Sequence, residues 1–197
     1  MIDGYLVDKK DCMKDLGVVF DSTLTFVEHL NCVCSSASKS LGFVMRTCRN
    51  FSDLNLMKQL FYSYVLSKME YGILVWSPIY ASHALMLDKI YRRFLKYLSY
   101  RIDGAYPERG TSSVELLERH HLPSLGERRT QRAALFLSKL VHYQIDCEFL
   151  LSKVPFNVPR LTSRSASNFR LPTPRTNVLR RAPIFIMCKA ADVIYDD

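Results

Sequence analysis

Four cations, Lys89, Arg92, Arg93 and Lys96, stand at spacings of i, i+3, i+4 and i+7, which places them in one stripe if the segment is helical. Residues 89–101 hold five Lys or Arg and no Asp or Glu, so salt bridges within the helix cannot neutralise the stripe. Like charges one turn apart repel by roughly 0.3 kcal/mol each. A face that carries this cost suits an anionic polymer, and the stripe, flanked by Tyr97, Tyr100 and Arg101, is a candidate for tracking a phosphate backbone. An ordinary solvated face would mix signs. A second cluster, Arg128, Arg129 and Arg132, offers the same chemistry early in a later helix. Contacts of this kind position a nucleic acid without reading its sequence.

Other chemistries find little footing. There is no Gly-x-Ser-x-Gly elbow, and no Cys–His pairing stands out among six cysteines and five histidines. Cys32-x-Cys34 has only His29 nearby and lacks a second ligand pair at zinc-site spacing. His120-His121 falls near a helix end, where capping is the expectation. No glycine-rich phosphate loop is present. The terminal Tyr195-Asp196-Asp197 looks like the paired carboxylates that hold two metal ions, but such a pair needs a strand-turn-strand setting and a third carboxylate. The expectation is therefore no catalytic residue, no metal site and no cofactor.

The elements that would carry the cations follow from periodicity. Residues 2–7 and 13–20 read as two extended pieces joined through Asp8-Lys9-Lys10-Asp11, a hairpin pattern, with residues 16–21 the more convincing strand. Thr25 with Glu28 forms a capping-box pattern ahead of a helix of about six turns. Its apolar face is Val27, Leu30, Cys34, Ala37, Leu41, Met45 and Cys48. Ser52 and Asp53 can start a second helix with Leu54, Met57, Leu60, Phe61, Tyr64, Val65 and Met69 on one side, ending at Ser77-Pro78. Gly72 inside it implies either a bend or a close helix contact. The third helix, from about residue 82 to 99, separates its basic stripe from Leu87, Ile90, Tyr91, Phe94, Leu95 and Leu98.

A loop with Gly104, Pro107 and Gly110 follows. Ser112 with Glu115 then heads a short helix that stops near Pro123, and Ser124 with Glu127 heads a fifth whose apolar side is Ala133, Phe136, Leu137, Leu140 and Tyr143. From Ser152 the texture changes to Pro-punctuated Ser, Thr, Asn and Arg. Between Glu148 and Asp192 there are eight Lys or Arg and no acid, which reads as an extended basic arm. The fold expected is mainly α: a hairpin entry over residues 1–24, a bundle of about five helices over 25–150, and an irregular basic arm over 151–197.

The composition agrees. In 197 residues, 48% are hydrophobic, enough for a core, and 27 Lys plus Arg against 19 Asp plus Glu give +8. The scattered cysteines make no disulfide framework, and the longest apolar run, residues 71–76, falls far short of the ~20 needed for a membrane span. The opening residues carry no signal-peptide core. These features point to an intracellular protein of nucleus or cytoplasm with no membrane partner.

Several blocks also resemble a known family. Asp15-Leu16-Gly17-Val18-Val19-Phe20-Asp21 with Leu24-Thr25-Phe26 and His29 is similar to the entry just after the palm of reverse transcriptases from non-LTR retrotransposons, jockey-like LINE elements above all. Leu60-Phe61-Tyr62-Ser63, Met69-Glu70-Tyr71-Gly72, Val75-Trp76-Ser77-Pro78, Arg92-Arg93-Phe94-Leu95 and Tyr100-Arg101 resemble that family's thumb in order and spacing. Leu122-Pro123-Ser124-Leu125, Glu127-Arg128-Arg129 and Leu171-Pro172-Thr173-Pro174-Arg175-Thr176 resemble its downstream segment.

The resemblance implies a C-terminal fragment of an RNA-directed DNA polymerase, whose thumb helices grip a template-primer duplex. The palm with its aromatic-x-Asp-Asp motif would lie upstream of residue 1. Tyr195-Asp196-Asp197 does not align with it, since Ile194 stands where the aromatic should fall. The chain alone is therefore expected to be no enzyme. Its partners would be RNA or DNA through phosphates, contacted by Lys89, Arg92, Arg93, Lys96, Arg101, Arg128, Arg129 and Arg132, and a separately encoded palm or other protein on the hairpin. The alternative is a non-catalytic protein-interaction module or a degenerate retroelement remnant.

Overall fold

Leu16 and Gly17 decide how the described chain begins. Both have positive φ, +43° and +86°, the conformation that a two-residue hairpin turn matched to strand twist demands. They join β1 (Cys12–Asp15) to β2 (Val18–Asp21), antiparallel, with Asp15 opposite Val18 and Cys12 opposite Asp21. The structure, a computed structural model, describes residues 10–78, 80–158, 168–176, 179–180 and 182–195. The strand expected over residues 2–7 lies outside these, as do Asp196-Asp197 and parts of the expected arm. The strand expected over residues 13–20 is corrected, because the turn divides it into both arms of one hairpin.

Asp21 then starts the first helix. Its carboxylate accepts from the amides of Thr23, Thr25 and Phe26 at 3.1, 3.0 and 2.6 Å and from both threonine hydroxyls. This clasp holds Leu24 and Phe26 at positive φ, +52° and +57°, each a conformation costing about 1–2 kcal/mol for an L-residue. Burial raises the Asp21 pKa, but the donors outweigh it and hold the carboxyl well below the usual carboxylate range. The expected Thr25–Glu28 capping box does not form, since the Thr25 amide and hydroxyl are both turned toward Asp21.

The helix that follows, α1 (Val27–Thr47), buries Leu30, Val33, Ala37, Leu41 and Val44, followed by Cys48 in a 3-10 turn (Cys48–Asn50). The buried face is rotated from the expected one: Cys34 and Met45 are only half-buried and Val27 is exposed. Asp53 caps α2 (Leu54–Phe61) by accepting from Asn55 and Leu56 amides at 2.8 and 3.4 Å, as its residue type predicts. A π-helical turn (Tyr62–Leu66) leads into α3 (Ser67–Glu70). The widened turn shifts the inward face by one position, so Leu66 and Glu70 are buried while Tyr64 turns outward.

Gly72 resolves the bend-or-contact alternative by doing both. At φ +62° it breaks the chain between α3 and α4 (Ile73–Trp76), and a Cβ there would meet Val18 Cγ2 at 3.3 Å. The hairpin thus lies against the kink, and Tyr71 donates its hydroxyl to the Leu16 carbonyl at 2.8 Å. Trp76, fully buried, donates to the Tyr71 carbonyl at 2.7 Å and meets His29 edge-on at 4.9 Å.

Next, α5 (Ala81–Asp103) buries the expected Leu87, Ile90, Tyr91, Phe94, Leu95 and Leu98. Phe61 stacks on Phe94 at 3.8 Å and lies parallel to Tyr91 at 5.5 Å, joining α2 to α5. Gly104 in the left-handed region ends α5. Ser112 accepts from the Glu115 amide to cap α6 (Ser113–His120), and His121 at φ +52° closes it with Leu122 bonding back to Leu117. The buried Ser99 hydroxyl lies 2.8 Å from His120 Nε2.

The chain divides into two compact units, Met1–Leu122 and Pro123–Asp197. In the second, Ser124 and Glu127 form the expected capping box at the head of α7 (Leu125–Val141). Its buried face is Leu125, Ala133, Ala134, Leu137 and Leu140, while Tyr143 lies beyond the helix and is exposed. A short α8 (Glu148–Leu151) and a lone bridge between Phe156 and Phe169 follow.

The expectation of an irregular arm to the end of the chain is corrected over Pro183–Tyr195, which forms a helix, α9, packed on α7. It buries Met187, Cys188, Ala190 and Ala191. Pro183 pre-sets the first helical φ. Among the described residues no helix is long and apolar enough to cross a membrane, and no three His, Cys, Asp or Glu are grouped to hold a metal ion.

Candidate nucleic-acid interface

The basic stripe of α5 lies where its spacing places it. Lys89 and Arg93 are exposed, and Lys96 is half-exposed. None of the three has a carboxylate at ion-pair distance among the described residues. The stripe therefore remains a concentration of positive charge.

Arg92 differs from its neighbours. It is half-buried and donates to the Thr111 carbonyl, while its Nε, shielded from solvent, has no partner among the described groups. Its work is to fasten the 104–111 loop back onto α5.

Arg101 differs more. Its guanidinium donates to the carbonyls of Cys48 at 2.9 Å, Arg49 at 2.7 Å and Phe51, with the Tyr97 hydroxyl at 3.4 Å. These carbonyls cluster at the 3-10 turn that follows α1, where the Cys48 carbonyl also accepts from the Phe51 amide at 3.1 Å, and a cation there also suits the helix dipole. Tyr97 adds a bond to the Met45 carbonyl at 3.1 Å. Arg101, expected as a phosphate contact, is thus spent on holding the end of α1 against α5.

That bracing builds a groove. One pocket of about 630 Å³ is lined by Met45, Arg46 and Arg49 from the end of α1 and its turn, and by Arg93, Tyr100 and Arg101 from α5. A second, of about 390 Å³, is lined by Met45, Lys89, Arg92, Arg93, Lys96 and Tyr106. Met45 and Arg93 border both, so the two adjoin. Neither lining contains an Asp or Glu. Five cations without ion-pair partners among the described residues, Arg46, Arg49, Lys89, Arg93 and Lys96, converge on it. No protein-family model, curated protein or solved structure matches this chain.

Arg46, Arg49 and Tyr106 were not singled out in the sequence. A signal for the two arginines exists: residues 29–52 hold Lys39, Arg46 and Arg49 and no acid, a second one-sign stretch like residues 89–101. Only the packing of α1 on α5 shows that the two stretches face one groove. Arg128, Arg129 and Arg132 open α7 in the second unit, the first two half-buried and the third exposed, and each has interactions of its own.

Two histidines sit behind these elements. His29 is buried, accepts the Val19 amide through Nδ1 at 3.3 Å, and its Nε2 faces no described acceptor. Burial lowers its pKa, and Lys14 adds to that. Burial also lowers the pKa of His120, helped by Lys58 and Arg119. Both are suited to stay neutral within the core, which makes them structural groups rather than phosphate ligands.

Proposed function

We propose that this chain is a non-catalytic nucleic-acid-binding unit, a thumb-like C-terminal fragment of a non-LTR retrotransposon reverse transcriptase, that holds a phosphate backbone in the groove between the end of α1 and α5. The observation that carries the reading is the groove itself, five cations with no carboxylate in its lining. A protein that only needed a solvated surface would gain by interspersing acids. Lys89, Arg93 and Lys96 contact phosphates from one wall and Arg46 and Arg49 from the other; Arg92 and Arg101 hold the walls in place. The motif resemblance, strongest over residues 16–129, gives the reading its family, and within it the likeness is between blocks that meet in space: the Leu16-Gly17-Val18 turn touches Tyr71-Gly72.

The direct test is charge reversal. The variant carrying Arg93→Glu and Lys96→Glu should lose binding to a primer-template duplex by roughly 100-fold or more at low salt, since each lost phosphate contact lowers affinity and each new acid repels. Retained affinity in a variant with unchanged circular dichroism would remove the groove as the contact surface. Purified wild-type chain should not extend a primer on an RNA template with Mg²⁺.

A protein-interaction reading is favoured by one observation. Every residue of β1 is exposed, and the apolar Met13 and Leu16 are 60% and 84% exposed, side chains of the kind a separately encoded palm would cover. Association there would be insensitive to salt, unlike the groove's.

A further inference from the structure

Tyr100 and Tyr106 stack face to face, ring centroids 4.6 Å apart and planes within 13°. An aromatic pair this well aligned is usually core, yet these rings are 39% and 59% exposed. Tyr100 lines the pocket toward α1, and Tyr106 lines both the pocket toward Lys89 and Lys96 and, on another side, a pocket with Asp103, Glu108, Glu115 and Arg119, so the pair stands between the two basic pockets. The loop that carries Tyr106 is fastened on each side of it. Gly104 ends α5 at φ +73° and bonds to the Tyr100 carbonyl at 2.9 Å, and Arg92 holds Thr111.

We propose that the Tyr100–Tyr106 pair is a base-stacking platform, and that the groove takes a nucleic-acid strand with unpaired bases. The inference rests on the phosphate-binding reading above and adds its substrate class. A positively charged groove follows the backbone without regard to pairing, whereas flat exposed rings offer a face to a base only when that base is out of a duplex. Tyrosine has few rotatable bonds, and mutual stacking fixes these two rings further, so little order is lost when a base joins them. Arg93, bordering both pockets, reaches the phosphates on either side of a stacked base. Every base has a π face, so the platform is tolerant of sequence.

The test compares two strands of equal length and phosphate count, a thymidine oligonucleotide and an abasic one, binding to the full chain in low salt. Wild type should prefer the base-bearing strand on the order of 10-fold. Tyr100→Leu and Tyr106→Leu should each reduce that preference while leaving affinity for the abasic strand within about 2-fold, and Tyr106→Phe should keep it. Equal affinity of wild type for the two strands overturns the platform without any variant, and so does a preference that survives both leucine changes. Loss of the abasic-strand binding in Arg93→Glu supports the phosphate reading separately. Failure of wild type to bind either strand overturns both.

Discussion

Arg101 donates to three main-chain carbonyls at the end of α1, whereas Arg93, about two turns earlier on the same helix, has no described ion-pair partner. Replacing Arg101 by Ala should lower stability by about 2 kcal/mol or more in urea unfolding, because three carbonyls lose a charged donor. Arg93→Ala should change it by less than about 0.5 kcal/mol. The pattern of four cations was readable from spacing alone, but not the division of labour between Arg92, Arg101 and the rest. That division depends on which carbonyls lie opposite, and Thr111, Cys48 and Phe51 are brought there by packing between distant segments.

The buried histidines give a pH prediction. The folded pKa of His29 and of His120 is below the ordinary value, so the unfolded chain binds protons first as pH falls. Their contribution to stability is complete above about pH 6.5 and is lost as pH drops toward the folded values. Urea midpoints should therefore fall between about pH 7 and about pH 5, and His120→Gln should flatten that fall. Asp21 acts in the same direction at lower pH, because its carboxyl is held below the usual range.

Among the elements, those with simple periods were legible and those that depend on unusual backbone were not. The apolar face of α5 and the Ser124–Glu127 capping box follow directly from residue type and spacing. The hairpin turn did not, because Leu16 occupies a left-handed position where Asn or Asp would have signalled the turn. The inward shift after Phe61 was hidden by a π-helical turn, which no apolar period announces. The helix α9 was hidden by the Pro-rich texture before it. Two element-scale predictions follow from the same geometry. Asp21→Ala should cost roughly 1–2 kcal/mol by releasing the entry to α1. Gly72→Ala should cost about 2 kcal/mol, since φ +62° strains an L-residue and the 3.3 Å approach of Val18 crowds its methyl.

Over the full chain, binding depends on where the +8 of net charge is placed. Each of the two compact units has its own helical pair or bundle and its own basic cluster. In the first unit the charge lines a groove and is left without carboxylates. The sequence disclosed one wall of that groove through residues 89–101 and left the other, Arg46 and Arg49, to be found from the packing of α1 against α5.

The most direct measurement is the affinity of the full chain for nucleic acid as a function of salt. Five phosphate contacts predict log affinity falling against log salt with a slope of about −3.5 for a single strand and about −4.5 for a duplex, a loss on the order of 100- to 500-fold between about 50 and about 200 mM. Arg46→Gln and Arg49→Gln together should make the slope shallower by about 1.4 for a single strand and about 1.8 for a duplex. A slope near zero, or one unmoved by those two changes, would contradict the claim that the groove holds a phosphate backbone.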